Sequence, residues 1–246
     1  MKSRVLVSSW RNDAAGTARD GREAARLEDA GIVLVITLLI ILMMSALGAG
    51  FVLITSSEST IAANFRVHQE SQYAAHAIAE RALADLALVA DWNAALSGAV
   101  QSPFIDGLPS GARTLADGST VNLTQLVNLA NCGKTTACSD AEMDAVTADR
   151  PHGVNNPRWR AFAYGPIADL AGPASADSLF YGVILVGDDP SEIDGDPLRD
   201  GTGASLGAGV LVVRAQSFGP RGVRMQLDLT VARATPRGIR VLSWRY

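Results

Sequence analysis

The densest group of side chains that can bind a ligand lies in the segment GDDPSEIDGDPLRDGTG, residues 187–203. Six carboxylates fall within thirteen residues of this segment: Asp188, Asp189, Glu192, Asp194, Asp196 and Asp200. Carboxylates this close together repel one another unless water, arginine or a cation balances their charge, and calcium takes about six to eight oxygen ligands from such loops. The Asp-Gly-Asp at 194–196 matches part of a calcium loop, although EF-hand spacing is missing. The segment is therefore a candidate calcium site, and the commoner alternative is a solvated acidic loop that the basic C-terminal strands balance.

The two cysteines, Cys132 and Cys138, lie in the segment CGKTTAC with five residues between them. This spacing can close a small disulfide loop, which suits a domain outside the cytosol. A zinc site would need further ligands, and the sequence offers no second cysteine pair or nearby histidine cluster. We predict a structural disulfide, with free thiols as the alternative.

Patterns that would indicate catalysis are weak. His76 and Glu80 share a helix face, but no second histidine completes a zinc-binding H-E-x-x-H pattern. The segment GTGASLGAG, residues 201–209, imitates a glycine-rich nucleotide loop. It leads into a predicted strand instead of a helix N-terminus, so we predict a turn there. We expect no catalytic residue, no small-molecule substrate and no enzymatic activity.

Charge is distributed unevenly along the chain. Residues 101–200 hold fourteen acidic side chains against six basic ones, whereas residues 201–246 hold seven arginines and one acid, Asp228. This asymmetry predicts either complementary surfaces or a solvated sheet face. Arginines near Trp244 and Tyr246 are the residue types that bind single-stranded nucleic acid. They are also ordinary on the wet face of a strand, so we do not expect a nucleic-acid partner.

The longest element that the sequence predicts is an apolar helix. No charged side chain occurs from Ala30 to Ser57, and residues 32–54, the apolar segment, consist mainly of Ile, Val, Leu and Met. A helix needs about 20 such residues to cross the hydrocarbon core of a bilayer. A cleavable secretory signal would have a shorter apolar core followed by a small-residue cleavage site. We therefore predict a membrane-spanning helix that is kept.

The helical pattern continues beyond the apolar segment. Residues 55–90 contain neither Gly nor Pro and are rich in alanine, which favours an unbroken helix. The apolar side chains in this part fall partly at helical spacing among charged and polar residues: Ile61, Phe65, Ile78, Leu83, Leu86 and Val89. We predict one helix over residues 32–92, with a transmembrane half and an amphipathic half that must pack on a second partner.

The remainder, residues 93–246, is predicted to be a globular head. Residues 97–158 are rich in Gly, Pro, Ser, Asn and Asp, which indicates loops and one short helix. Five strands follow within residues 158–246, over 158–164, 178–186, 209–218, 223–233 and 239–246. Apolar and polar residues alternate in the fourth strand, so one face of the sheet is predicted to be covered and the other wet. The third and fourth strands are predicted to form a hairpin.

These elements predict an α+β fold, in which the amphipathic half of the long helix packs on a C-terminal antiparallel sheet. The motifs at the start of the long helix resemble PilX-type minor pilins of type IV pili. In that family a Gly precedes the apolar stretch, a Glu and an A-x-N follow it, and an Ala-rich A-x-x-A-A-E-x-A-L comes next. The matching residues are Gly31, Glu58, Ala62 with Asn64, and residues 74–83 with Glu80. The resemblance implies a type IV pilin-like fold.

The resemblance also implies processing. A prepilin peptidase would cut between Gly31 and Ile32 on the cytoplasmic face and remove residues 1–31 as a leader. This leader carries six basic and five acidic side chains. Glu28 and Asp29 stand where the family commonly has a basic residue before the Gly. The implied localisation is a single pass through the inner membrane of a Gram-negative bacterium with a periplasmic head, followed by the pilus at the cell surface.

One position separates the sequence from major pilins. Major pilins have a glutamate five residues into the mature chain, where its carboxylate meets the N-terminal amine of a neighbour, and here that position is Ile36. Family members without this glutamate tend to initiate or cap filaments. The resemblance therefore implies a non-catalytic minor pilin that primes pilus assembly and meets other minor and major pilins through the long helix. The alternatives are a GspK-like pseudopilin of type II secretion and an unprocessed single-span membrane protein with a periplasmic binding module.

Overall fold

The structure, a computed structural model, describes residues 13–171, 178–201, 207–234 and 238–246, with the backbone alone for 13–30 and 171. The chain divides into two compact units, Met1–Ala63 and Asn64–Tyr246. The predicted turn at 201–209 is described at its two ends, and its residues 202–206 lie outside the described residues.

The longest element is helix α1, which extends from Asp13 to Leu88. It ends before the predicted limit near Trp92, and a second short helix, α2 (Trp92–Leu96), follows. The break has a local cause, since the carboxylate of Asp91 caps α2 by accepting a hydrogen bond of 3.0 Å from the Asn93 amide. The Trp92 indole also turns back and donates to the Leu86 carbonyl at 3.2 Å.

The second unit contains a five-stranded antiparallel sheet whose strands follow the order of the sequence. The strands are β3 (Arg160–Pro166), β4 (Tyr181–Asp188), β5 (Val210–Phe218), β6 (Arg224–Arg233) and β7 (Ile239–Arg245), after a small hairpin of β1 (Ala112–Thr114) and β2 (Thr120–Asn122). This layout confirms the predicted α+β fold class, and the pairing of β5 with β6 confirms the predicted hairpin.

One face of the sheet packs on α1. Residues 74–86 of the helix, the packed segment, present a stripe of buried side chains at helical spacing: Ala74, Ala75, Ile78, Ala79, Ala82, Leu83 and Leu86. The stripe approaches β4 closely, because a Cβ atom added to Gly182 would lie 2.9 Å from Ile78 Cγ1. Ile61 and Phe65, which the sequence pattern assigns to the amphipathic stripe, are exposed in the structure. Burial on this side of the helix therefore begins later than predicted, at Ser71, just before the packed segment. The Ser71 carbonyl accepts a hydrogen bond from the Ser217 hydroxyl.

The opposite face of the sheet is also partly covered. Helix α3 (Leu123–Cys132) and the β1–β2 hairpin contribute Leu115, Leu123 and Leu126 to a second core, which includes Trp159 and Tyr164. Every residue of β4 is buried as a result. The predicted wet face applies to β6, where Gln226 and Asp228 stay partly exposed, but not to β4.

The two cysteines are joined by a disulfide between Cys132 and Cys138, with 6.0 Å between their Cα atoms. Cys132 is the last residue of α3, and Gly133 caps that helix in the left-handed conformation at φ 73°. Cys138 lies directly before Ser139, which caps helix α4 (Asp140–Met143). The disulfide therefore links the end of one short helix to the start of the next.

Candidate metal centre and exposed apolar helix

Three of the six predicted acids come together in the structure. Asp188 is the last residue of β4, Glu192 lies in the turn that follows, and Asp200 lies further along the same connection to β5. One carboxylate oxygen from each lies within 4.8 Å of the other two. We call these three residues the acid cluster.

Two of the three acids in the acid cluster are buried, Asp200 is half-buried, and the cluster is only partly hydrogen-bonded. Asp188 is 3% exposed and Glu192 1% exposed. Asp188 Oδ1 and Glu192 Oε1 are buried and have no hydrogen-bond partner among the described residues. Burial, followed by the neighbouring Glu192 carboxylate, raises the pKa of Asp188 to about 8. Burial also raises the pKa of Glu192 and of Asp200. Three carboxylates thus share a site that disfavours their charged forms.

Backbone hydrogen bonds hold two other oxygens of the acid cluster in place. The Gly201 amide donates to Glu192 Oε2 at 3.1 Å, and the Gly209 amide donates to Asp200 Oδ1 at 2.5 Å. Gly207 has φ +100°, and a Cβ atom there would lie 3.0 Å from Glu192 Cβ. Only glycine adopts that conformation readily at such close approach. The last residues of the connection before β5 are therefore packed directly against Glu192.

The other three predicted acids serve local turns. Asp189 Oδ1 accepts from the Ser191 amide at 3.2 Å, and Asp194 Oδ1 accepts from the Asp196 amide at 2.8 Å. Asp196 Oδ1 accepts from the Leu198 amide at 3.4 Å. These are the turn-forming contacts that Asp side chains commonly make, so the candidate metal ligands narrow to the acid cluster.

The arginines of the C-terminal strands neutralise little of the negative charge of the acidic segment. Among the described residues, none of the six acids forms an ion pair within 4.0 Å. The ion pairs that do form involve other acids, such as Arg214 with Asp228 and Arg81 with Asp85. Arg233 is the basic residue that lowers the pKa of Asp200, against the stronger effect of burial. Its guanidinium lies over the Trp92 ring at 4.4 Å from the centroid and donates to the Val89 carbonyl.

Several arginines and aromatic residues of the C-terminal strands contact other side chains of the same chain. Arg214 lies over the Trp159 ring, and Arg224 lies over the Phe218 ring. His76 stacks on Trp244 with 5.3 Å between ring centroids, and its Nε2 lies 2.5 Å from the Tyr246 hydroxyl. Arg237 lies outside the described residues. In the described part of the chain, His76 thus packs against the C-terminal aromatic residues. Glu80, on the same helix, is exposed.

The second candidate site is the apolar segment of α1, residues 32–54. Its large side chains are exposed throughout, and none of the residues in its most apolar 18-residue window, of mean hydropathy 2.8, is buried. One helix of the described chain is therefore long and apolar enough to span a membrane. Gly31 and Ile32, the residues at the predicted cleavage position, lie within α1, and a Cβ atom added to Gly31 would meet no other residue within 4 Å.

Polar side chains within the apolar segment are satisfied by the helix itself. The Thr37 hydroxyl donates to the Leu34 carbonyl, and the Ser45 hydroxyl donates to the Ile41 carbonyl, both at 2.8 Å. Internal hydrogen bonds of this kind remove the cost of placing a hydroxyl in hydrocarbon. The exposed surface of the apolar segment is therefore suited to lipid or to other apolar helices.

Sequence patterns missed the residues that support the acid cluster. The Asp200 amide donates to Asn93 Oδ1 at 2.9 Å, so a side chain of α2 holds the far end of the connection. More than a hundred residues separate the two partners, and no local pattern marks Asn93. The pair of positive-φ glycines, Gly207 and Gly209, is the signal that could have indicated a tight approach there.

No family model, no curated protein and no solved structure matches this chain. Its function therefore has to be inferred from the chemistry of the two sites.

Proposed function

We propose that this chain is a minor pilin of a type IV pilus, a non-catalytic subunit that helps to initiate or prime pilus assembly. The observation that carries the proposal is the contrast within α1. The apolar segment exposes about six turns of Ile, Val, Leu and Met, whereas the packed segment is covered by the sheet of the same chain. A helix that is exposed and apolar needs lipid or other helices around it.

The proposed sequence of events uses both partners in turn. The apolar segment first anchors the chain in the inner membrane, with the second unit in the periplasm. It then leaves the bilayer and packs against the helices of other pilins, which supply the same apolar environment. The disulfide between Cys132 and Cys138 supports a periplasmic location, because disulfides persist in oxidising compartments.

The residue at position 36 supports a minor subunit instead of a major one. Ile36 is exposed on the apolar segment and carries no carboxylate that could pair with the N-terminal amine of a neighbour. An unpaired carboxylate in this setting would be costly, and a subunit that starts or ends a filament lacks one neighbour. A GspK-like pseudopilin is less well supported, since the described α-helices between residues 97 and 158 are α3, of ten residues, and α4, of four.

The decisive experiment is N-terminal processing. The full chain is expressed in a Gram-negative host with and without a prepilin peptidase, extracted from the membrane fraction, and its N-terminus is identified by mass spectrometry. We expect the extracted chain to begin at Ile32 when the peptidase is present and to keep residues 1–31 when it is absent. Gly31→Ala should keep the leader in both hosts, because the added methyl group obstructs the peptidase.

Gly50→Ala is the matched control, since it makes the same change in the same helix at a position with no neighbour within 4 Å. It should be processed like the parent. If the parent keeps Met1 with the peptidase present, the unprocessed single-span alternative is correct, an alternative that Glu28 and Asp29 beside the cleavage position favour. If Gly31→Ala is processed as fast as the parent, the cleavage position is wrong.

Recovery of the processed chain with sheared pili tests assembly. The chain is expressed with a complete set of pilins, and the sheared fraction is probed for it. Processing without any recovery in pili or in a cross-linked complex with other pilins would contradict a pilin role.

A further inference from the structure

We propose that Asp188, Glu192 and Asp200 bind one calcium ion. The proposal is independent of the role of α1 in the membrane, because the acid cluster lies wholly within the second unit. It depends on three observations: convergence of three carboxylates, burial of two of them, and oxygen atoms that are left without a partner.

The convergence has the right dimensions for one ion. Calcium binds oxygen at about 2.3–2.6 Å, so two oxygens on the same ion can be no more than about 4.6–5.2 Å apart. The three carboxylate oxygens lie within 4.8 Å of one another. A single ion among them can therefore contact all three without a large movement of the chain.

The unpartnered oxygens argue that the site is built for a ligand. Asp188 Oδ1 and Glu192 Oε1 are buried and accept no hydrogen bond from the described part of the chain, although the other Glu192 oxygen accepts from the Gly201 amide. Buried carboxylates without a partner are costly, and native proteins place a partner beside them. Described basic side chains do not form ion pairs with the acid cluster, which leaves a bound cation as the partner that satisfies both oxygens at once.

The donor set selects the class of cation. All three ligands are carboxylate oxygens, and no described histidine or cysteine belongs to the cluster. Oxygen donors of this kind suit hard cations and not zinc or copper, which prefer nitrogen and sulfur. Carboxylates from a strand end and an irregular connection fit the flexible geometry of calcium better than the strict octahedron of magnesium.

Calcium at this position would fasten the connection between β4 and β5 to α2, directly after the end of α1. Asp200 donates its amide to Asn93 of α2, directly after the α1–α2 break, and Arg233 reaches from β6 to the Val89 carbonyl in that break. One ion would thus tie a strand end, an acidic turn and α2 together. We infer that calcium stabilises this junction and leaves the exposed apolar segment unaffected.

The test uses the full chain in detergent, stripped of divalent ions with a chelator and then titrated with calcium chloride. Equilibrium dialysis with radioactive calcium measures the stoichiometry, and near-ultraviolet circular dichroism measures the melting temperature. We expect one ion per chain and a rise of about 5 °C at saturation. Magnesium chloride at the same concentration should give less than half of this rise.

Asp188→Asn should lower the calcium affinity at least about 10-fold and abolish the rise in melting temperature. The variant should remain folded, because asparagine keeps the side-chain shape and cannot adopt the charged form that burial disfavours at this position. Its melting temperature without calcium should equal or exceed that of the parent, an outcome that a merely misfolded variant would not give. Asp196→Asn, the matched control, makes the same change in the same loop outside the acid cluster and should keep the calcium response.

Three results would overturn the proposal. The first is no calcium response of the parent at millimolar concentration. The second is an unchanged response in both Asp188→Asn and Glu192→Gln, which would place the ion elsewhere. The third is an equal response to magnesium, which would reject calcium as the specific ligand. None of these results bears on the processing of the chain at Gly31, so the two proposals fail separately.

Discussion

Two parts of the same helix have opposite surroundings. The apolar segment of α1, residues 32–54, is the more hydrophobic part, and its side chains are exposed along its whole length. The packed segment, residues 74–86, contains six alanines and only three larger apolar residues, and its apolar stripe is buried by the sheet. Hydrophobicity alone therefore does not determine which part of a helix is buried by its own chain.

The difference lies in side-chain size and spacing. Alanine at Ala75, Ala79 and Ala82 lets the backbone of the packed segment come close to the sheet, where Gly182 of β4 leaves room for Ile78. The apolar segment has large side chains on every face, so packing one face against a sheet would leave the other faces exposed. It is suited to a surrounding medium of lipid or of several helices, and substitutions in the two segments should have different effects.

The largest difference is expected from removing the same side chain in each segment. Ile78 is fully buried, whereas Ile40 is 49% exposed. Ile78→Ala should lower the free energy of unfolding of the second unit by about 2–5 kcal/mol, because it removes buried methyl groups and leaves a cavity. Ile40→Ala, the matched control, should not change that free energy. Urea unfolding of the full chain in detergent, followed by near-ultraviolet circular dichroism, measures both.

Retention of the chain in membranes should show the opposite pattern for the same two variants. Ile40→Ala should weaken retention of the chain in membranes, which is measured by extraction of the membrane fraction with carbonate, whereas Ile78→Ala should not. If Ile40→Ala destabilised the second unit as strongly as Ile78→Ala, the apolar segment would have a partner within the chain, and the comparison between the segments would fail.

A second prediction concerns two ion pairs with the same spacing on α1. Arg81 and Asp85 lie in the packed segment with side chains 35% and 9% exposed, and Arg66 and Glu70 lie before it with side chains 80% and 43% exposed. Asp85→Ala should cost about 1.5–3 kcal/mol, because Asp85 also accepts from the buried Ser102 hydroxyl, which would lose its partner. Glu70→Ala should cause no measurable change, because water replaces an exposed partner.

The same urea unfolding experiment measures both variants, and Asp85→Asn is the conservative control. Asparagine keeps an acceptor for Ser102 and should recover part of the loss. Equal effects of Asp85→Ala and Glu70→Ala would mean that the packed segment is not buried as the structure has it.

Local patterns in the sequence were sufficient for the five strands of the large sheet and for the existence of the long helix, but not for β1 and β2. The alternation of Leu227 and Leu229 with Gln226 and Asp228 is a property of neighbouring residues, and β6 follows it. The start of the buried stripe was not predictable in this way. Ile61 and Phe65 are as apolar as Ile78, and the position of the end of β5, where Ser217 lies, decides that burial begins at Ser71.

The acid cluster shows the same limit. The sequence marks six acids, but the selection of Asp188, Glu192 and Asp200 depends on where β4 ends and how the connection returns to β5. Asn93 and Gly207 support that path from distant positions. The second core under residues 97–158 was missed for a related reason, since α3 covers a sheet face that alternation in β6 alone predicts to be wet.

The smallest expected difference comes from adding a methyl group to one glycine of β4 that faces the packed segment and to one glycine of the apolar segment. Gly182→Ala would place a Cβ atom 2.8 Å from Ile167 Cδ1 and 2.9 Å from Ile78 Cγ1, and should cost about 1–3 kcal/mol through overpacking. Gly50→Ala has no neighbour within 4 Å and should cost nothing, because alanine favours the helix.

The effect of Gly182→Ala should shrink in the background of Ile78→Ala, which removes the Cγ1 atom that the new methyl group meets. The coupling, obtained from urea unfolding of the two single variants and the double variant, should reach at least about 0.5 kcal/mol. Strict additivity would mean that β4 and the packed segment do not touch at Gly182, and the close approach that distinguishes the packed segment from the apolar segment would have to be abandoned.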